Sequence, residues 1–143
     1  MTEVFFYSGA SDKLNVVCRL CAKAISQNAR IMIYASDHSV LDKIDVLLWT
    51  YQQTSFLPHC SIDDDEKLVE ATPIILGGRI IPNQNCNILI NLDTQCPNGF
   101  DQFERVLEIT SVSREDKLSA RNRYRFYKQA GYSLHHHDLS KHS

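Results

Sequence analysis

Along this chain short, nearly continuous apolar runs switch with stretches whose apolar residues recur every three or four positions, and the switching predicts strands alternating with helices. "TEVFFYS", aromatic and β-branched and ended by a Ser-Gly turn signal, reads as the first strand. From Asp12 to Asn28, Leu14, Val17, Cys18, Cys21, Ala24 and Ile25 give a helix one apolar face, with Ser11 placed to cap it. "RIMIYAS" reads as a buried strand and "DHSVLDKIDVLLWTYQ" as a second amphipathic helix. After an "IDDDE" loop, "TPIILGG" and "NILINL" are two more strands and "NGFDQFERVLEI" is helix into strand. "SREDKLSARNRYRFYKQAG" is the last helix, stopped by Gly131 in the left-handed position that follows many helix ends. Such alternation belongs to an α/β fold with a mixed, largely parallel central sheet between helical layers. Residues 1–131 are expected to form a single α/β domain and 132–143 a C-terminal tail, with no internal repeat.

Composition narrows the class without changing the picture. A length of 143 residues at 43% hydrophobic and 22% charged suits one domain with a real core. No apolar run approaches the roughly 20 residues that span a bilayer. The start, "MTEVFFYSGASDK", carries an acid where a secretory signal carries cations, so the expected location is cytoplasmic. There, five cysteines scattered through apolar or loop settings read as buried thiols rather than a disulfide framework.

Charge does change the picture, because it is concentrated. Projected as a helix, Arg114, Lys117, Arg121, Tyr124, Arg125 and Lys128 fall within a stripe roughly 100° wide, while Arg123 points away. From Ser113 to Tyr132, six Lys or Arg against Glu115 and Asp116 make a local +4, so the remainder of a chain of net charge -2 carries -6. The bland account is a solvated face favoured by the helix dipole; the sharper one is a site for an anionic partner. Single-stranded nucleic acid would stack on Tyr124 and place phosphates on the cations. An acidic peptide would put an apolar side chain on Tyr124 and carboxylates on Arg121 and Arg125. The acidic remainder would repel an extended phosphate backbone, which favours the peptide.

In "LLWTYQQTSFLPH", Trp49, Tyr51 and Phe56 follow an apolar helix into a polar loop. They are either plugs of the domain's own core or anchors of a protein interface, where Trp and Tyr dominate. Enzyme chemistry finds less support. Cys18 and Cys21 form a C-x-x-C inside a helix rather than at its N-terminus, and read as core. His135 to His137 with His142 are a weak metal set and read as a solvated tail. "DDDE" lacks the ligand spacing of a calcium loop, and there is no P-loop or Gly-x-Gly-x-x-Gly. No catalytic residue, cofactor or metal is therefore expected.

"SARNRYRFYKQAGYSL", "IDVLLWTYQQTSFLPH" and "NILINL" together resemble the chi subunit family of the bacterial DNA polymerase III holoenzyme, a component of the clamp-loader complex. The most specific parts are the Leu-Trp followed by Ser-Phe-X-Pro-His, and Ala-Arg-X-Arg-Tyr-X-X-Tyr before Ala-Gly. The resemblance implies a Rossmann-like three-layer sandwich that binds no nucleotide, is not an enzyme, and bridges two proteins. One partner would be the acidic C-terminal tail of single-stranded-DNA-binding protein, ending in Pro-Phe, held by Lys117, Arg121, Tyr124 and Arg125, with Lys128 on the same stripe. Thr110 stands where the family has an apolar residue beside the tail's phenylalanine. The other partner would be the psi subunit, docked through Trp49 and Phe56. On this reading the chain is a monomer alone and a heterodimer with psi, with indirect association to single-stranded DNA and none to membranes. The alternative is a small single-stranded nucleic-acid-binding module using the basic C-terminal helix.

Overall fold

The segments "IMIY", "IILG" and "ILIN" are apolar at nearly every position, as strands covered on both faces must be. They form the centre of the sheet in a computed structural model that describes residues 2–51, 57–81 and 85–142. In chain order the elements are β1 (Glu3–Ala10), α1 (Lys13–Ser26), β2 (Ile31–Tyr34), α2 (His38–Thr50), β3 (His59–Ser61) and α3 (Glu66–Ala71). They continue through β4 (Ile74–Gly77), β5 (Ile88–Asn91), β6 (Arg105–Ser111), α4 (Arg114–Gln129) and β7 (Ser133–Asp138). The seven strands lie in the order β3-β4-β2-β5-β6-β1-β7, and every pairing is parallel.

Two apolar clusters fill the space on either side of that sheet. On one, Val17, Cys18 and Cys21 of α1 and Ile44 and Leu48 of α2 meet Ile31, Ile33, Ile74 and Ile90. On the other, Ala120 and Tyr127 of α4 meet Val4, Phe6, Met32, Leu89 and Val106, with Val69 of α3 at the margin. The alternation within each strand divides its residues between these clusters, which makes the three-layer sandwich. Each fully buried Ile or Leu contributes about 1.5–3 kcal/mol of hydrophobic stabilisation before entropic costs.

The structure revises several local readings. Asp12, not Ser11, caps α1, its carboxylate accepting from the Asn15 amide at 3.2 Å. The expected helix in "NGFDQFERVLEI" is only a 3-10 turn, Phe100–Gln102, after Gly99 at φ 93°, because Phe100 and Phe103 both turn into the core. The strand that follows it stands as expected. β3 and α3 have no counterpart in the sequence reading: β3 precedes the "IDDDE" loop, and α3 starts at its end, capped by Asp65 of the acidic run. The sheet has no antiparallel member among the described strands. The largest difference is β7: the residues read as a solvated tail pair along β1, with Phe5 against His135 and Phe6 against His136. Its histidines hide its alternation, yet Leu134 packs on the core while His135 stacks on Phe5 at 4.5 Å.

Candidate functional site

Polar ties at both ends aim the basic helix. Ser113 caps α4, its Oγ accepting from the Asp116 amide at 3.2 Å, and the Asp116 carboxylate accepts from the Ser111 amide at 2.7 Å. Lys13 of α1 pairs with the same carboxylate at 3.3 Å. Burial pushes the Asp116 carboxyl up, but the Ser111 amide and the Lys13 ammonium outweigh it and hold the group below its ordinary value. At the other end Gly131, at φ 88°, lets the amides of Gly131 and Tyr132 bond back to Lys128 and Tyr127.

Between these ends the inward face of α4 carries a buried polar network. Arg123, 3% exposed, donates from Nε to Glu108 Oε1 at 2.9 Å, and the fully buried Glu108 accepts at Oε2 from Asn91 at 2.9 Å and Tyr127 Oη at 2.7 Å. Arg123 also donates to the Thr94 carbonyl and Ser119 Oγ. Burial pushes the Glu108 carboxyl up while Arg123 and the other two donors oppose it; burial and the neighbouring carboxylate push the Tyr127 hydroxyl up. The network joins β5, β6 and α4, and so sets which residues α4 turns outward.

Those outward residues are the predicted stripe: Arg114, Lys117, Arg121, Tyr124, Arg125 and Lys128 are all exposed. Three of them, Lys117, Arg121 and Tyr124, form one wall of an open groove of about 490 Å³ between α4 and the sheet. Phe6, Ser8, Thr110 and His136, from β1, β6 and β7, line the rest with Ala120. Tyr124 sits edge-on to Phe6 with ring centroids 5.4 Å apart. Arg125 and Lys128 lie on the same helix beyond this lining. The site thus offers an apolar floor of Phe6 and Ala120, a buried hydroxyl at Thr110, and cations along one side.

The second surface is on the opposite layer. Trp49 of α2 is 51% exposed, as is Val46 one turn earlier at 60%. The Trp49 ring meets His59 edge-on at 4.9 Å. His59, its side chain 1% exposed, is fastened by Nδ1 to the Leu57 carbonyl at 2.6 Å and by Nε2 to Asp45 at 2.7 Å. Tyr51 packs in part against the core of the α1 and α2 layer. Phe56 lies outside the described residues.

Sequence reasoning found the stripe and Trp49, and missed Phe6, Ser8, His136, the Glu108 network and the His59 clamp. A strand reading of 133–138 would have put Leu134, His136 and Asp138 on one face. The C-x-x-C is core, as expected: Cys18 and Cys21 are buried, and burial, with Asp12 nearby, pushes the Cys18 thiol up to about 11. Among the described residues no group of three or more His, Cys, Asp or Glu could hold a metal ion; the side chain of His142 is outside that set. No described helix is long and apolar enough to cross a membrane.

The family model described as "DNA polymerase III chi subunit, HolC" matches residues 1–135. A DNA polymerase III subunit chi from Pseudomonas aeruginosa is 31% identical, covering 99% of this chain and 99% of its own length. The subunits chi from Escherichia coli and Haemophilus influenzae are each 26% identical, over 88% and 83% of this chain and 85% and 82% of theirs. The chain belongs to the DNA polymerase III chi subunit family.

Proposed function

We propose that this chain is a non-catalytic adaptor subunit of the replicative DNA polymerase III clamp-loader complex in the cytoplasm. It bridges the psi subunit to the acidic C-terminal tail of single-stranded-DNA-binding protein, and so reaches single-stranded DNA only indirectly. The observation that carries the reading is the α4 groove, where Lys117, Arg121 and Tyr124 stand over an apolar floor on a chain of net charge -2. A short peptide with carboxylates and a terminal aromatic matches that mixture, with Arg125 and Lys128 extending the positive field along the helix. Thr110, 4% exposed, lines the same groove and adds a hydroxyl without a charge. The psi subunit docks through the half-exposed Trp49, with Phe56 as its expected neighbour, making a heterodimer from a chain that is monomeric alone.

Fluorescence anisotropy with a labelled acidic peptide ending in Pro-Phe, and separately with a labelled single-stranded oligonucleotide at the same salt, tests the first interface. The peptide should bind more tightly, and Arg121→Ala should cost about 1.5–3 kcal/mol of that binding, the range for a hydrogen bond to a charged group. Tighter oligonucleotide binding, or indifference to Arg121→Ala, would promote the nucleic-acid-binding module instead. For the second interface, Trp49→Ala should weaken psi binding by about 1–4 kcal/mol while the protein keeps its cooperative melt.

A further inference from the structure

One member of the groove, His136, is an imidazole and stands outside the basic stripe. β7 runs in register with β1, so His136 lies beside Phe6 on the α4 side of the sheet. His135 and His137 turn to the other side, where they stack on Phe5 and Tyr7. His136 is exposed, and its Nε2 is 2.8 Å from the Ser8 hydroxyl. Around it stand Phe6 and Ser8 from β1, Thr110 from β6, and Lys117, Arg121 and Tyr124 from α4. Further along its own strand Asp138 holds the amide and hydroxyl of Ser140 on Oδ1. A serine hydroxyl donates or accepts, so the imidazole can gain a proton and keep this bond, with Nδ1–H left to donate elsewhere.

We propose that His136 is a carboxylate-binding residue of this groove, joining Lys117 and Arg121 around an acidic peptide when its ring is protonated. The inference rests on the reading of the α4 groove as a peptide site and adds a sign to it. Imidazole is the ordinary side chain whose charge changes between about pH 5 and 8. Free carboxylates titrate near 4, and lysine, arginine and tyrosine at about 10 or above. Among the described groove residues His136 is the one imidazole, and a proton gained there is complementary to the peptide. Affinity should rise as pH falls, whereas a groove built of lysine and arginine alone would be indifferent.

The test is anisotropy with a fluorescein-labelled peptide of three aspartates followed by a C-terminal Pro-Phe, at constant salt, on the full chain and on His136→Gln. The wild type should bind roughly two- to five-fold more tightly at pH 6 than at pH 8, the gain of one exposed ion pair. His136→Gln, which keeps a hydrogen-bonding group beside Ser8, should bind with the pH 8 affinity of the wild type at both values. A flat wild-type profile, or an equal rise in His136→Gln, overturns the role of His136 while leaving the peptide site standing. Failure of the wild type to bind the peptide at either pH overturns the peptide reading and this inference with it.

Discussion

Arg121 and Arg123 lie two residues apart on one helix and share every chemical property, yet the fold uses them in opposite ways. Arg121 is exposed on the groove wall, while Arg123 is buried against Glu108, Thr94 and Ser119. A separation of two residues turns a helical side chain by about 200°, so one must face inward if the other faces solvent. The contrast teaches that a cluster of cations is not one feature. Part of it is a recognition surface, and part is the device that holds the surface at its angle to the sheet.

Arg123→Ala removes the buried cation while leaving the groove wall untouched. It should lower unfolding stability by about 3–5 kcal/mol, because it strands the Glu108 carboxylate without its cation; urea denaturation reads the loss. A change under about 1 kcal/mol would mean that the pair is not a structural element. Arg121→Ala is the complement: it should leave the unfolding free energy within about 0.5 kcal/mol of wild type, as an exposed substitution does, while peptide binding falls.

The Trp49 surface repeats the contrast between a presented residue and a buried support. His59→Ala removes a side chain that satisfies Leu57 and Asp45 and abuts Trp49. It should cost about 1–3 kcal/mol of stability and shift the tryptophan fluorescence maximum, whereas Trp49→Ala should leave the melt nearly intact. The smallest effect concerns the start of α4. Because Asp116 is held below its ordinary value, its stabilising contribution is present above the unfolded pKa of about 3.9 and is lost as pH falls through the lower folded value. Asp116→Asn should therefore show a shallower loss of stability as pH falls below about 4, measured by chemical unfolding at descending pH.

Most of the fold was legible because its central strands are continuous apolar runs and α1 carries an apolar stripe at helical spacing. The misreadings fall where local sequence is ambiguous. "FDQFER" has apolar residues three apart, as a helix turn would, but Gly99 and the two core-facing phenylalanines leave only a 3-10 turn. "SLHHHD" shows no hydrophobic alternation, since β1 supplies the apolar surface on which its imidazoles stack. At the site, Lys117, Arg121 and Tyr124 could be read from helical period alone, and so could the divergence of Arg123. Glu108 could not: inside "RVLEIT" it is a polar residue in a strand, with nothing local to show that α4 delivers its partner.

By itself the sequence determined the α/β alternation, the basic face of the last helix and the packing of Cys18 and Cys21, because each depends on spacing within one element. The tertiary structure alone decided what lies opposite that basic face. Phe6, Ser8, Thr110 and His136 come from three strands widely separated in sequence, and they meet α4 only because β6, β1 and β7 lie side by side in the sheet. Strand order is set by which long-range pairings bury the most surface together, a property of the whole chain that no local pattern carries.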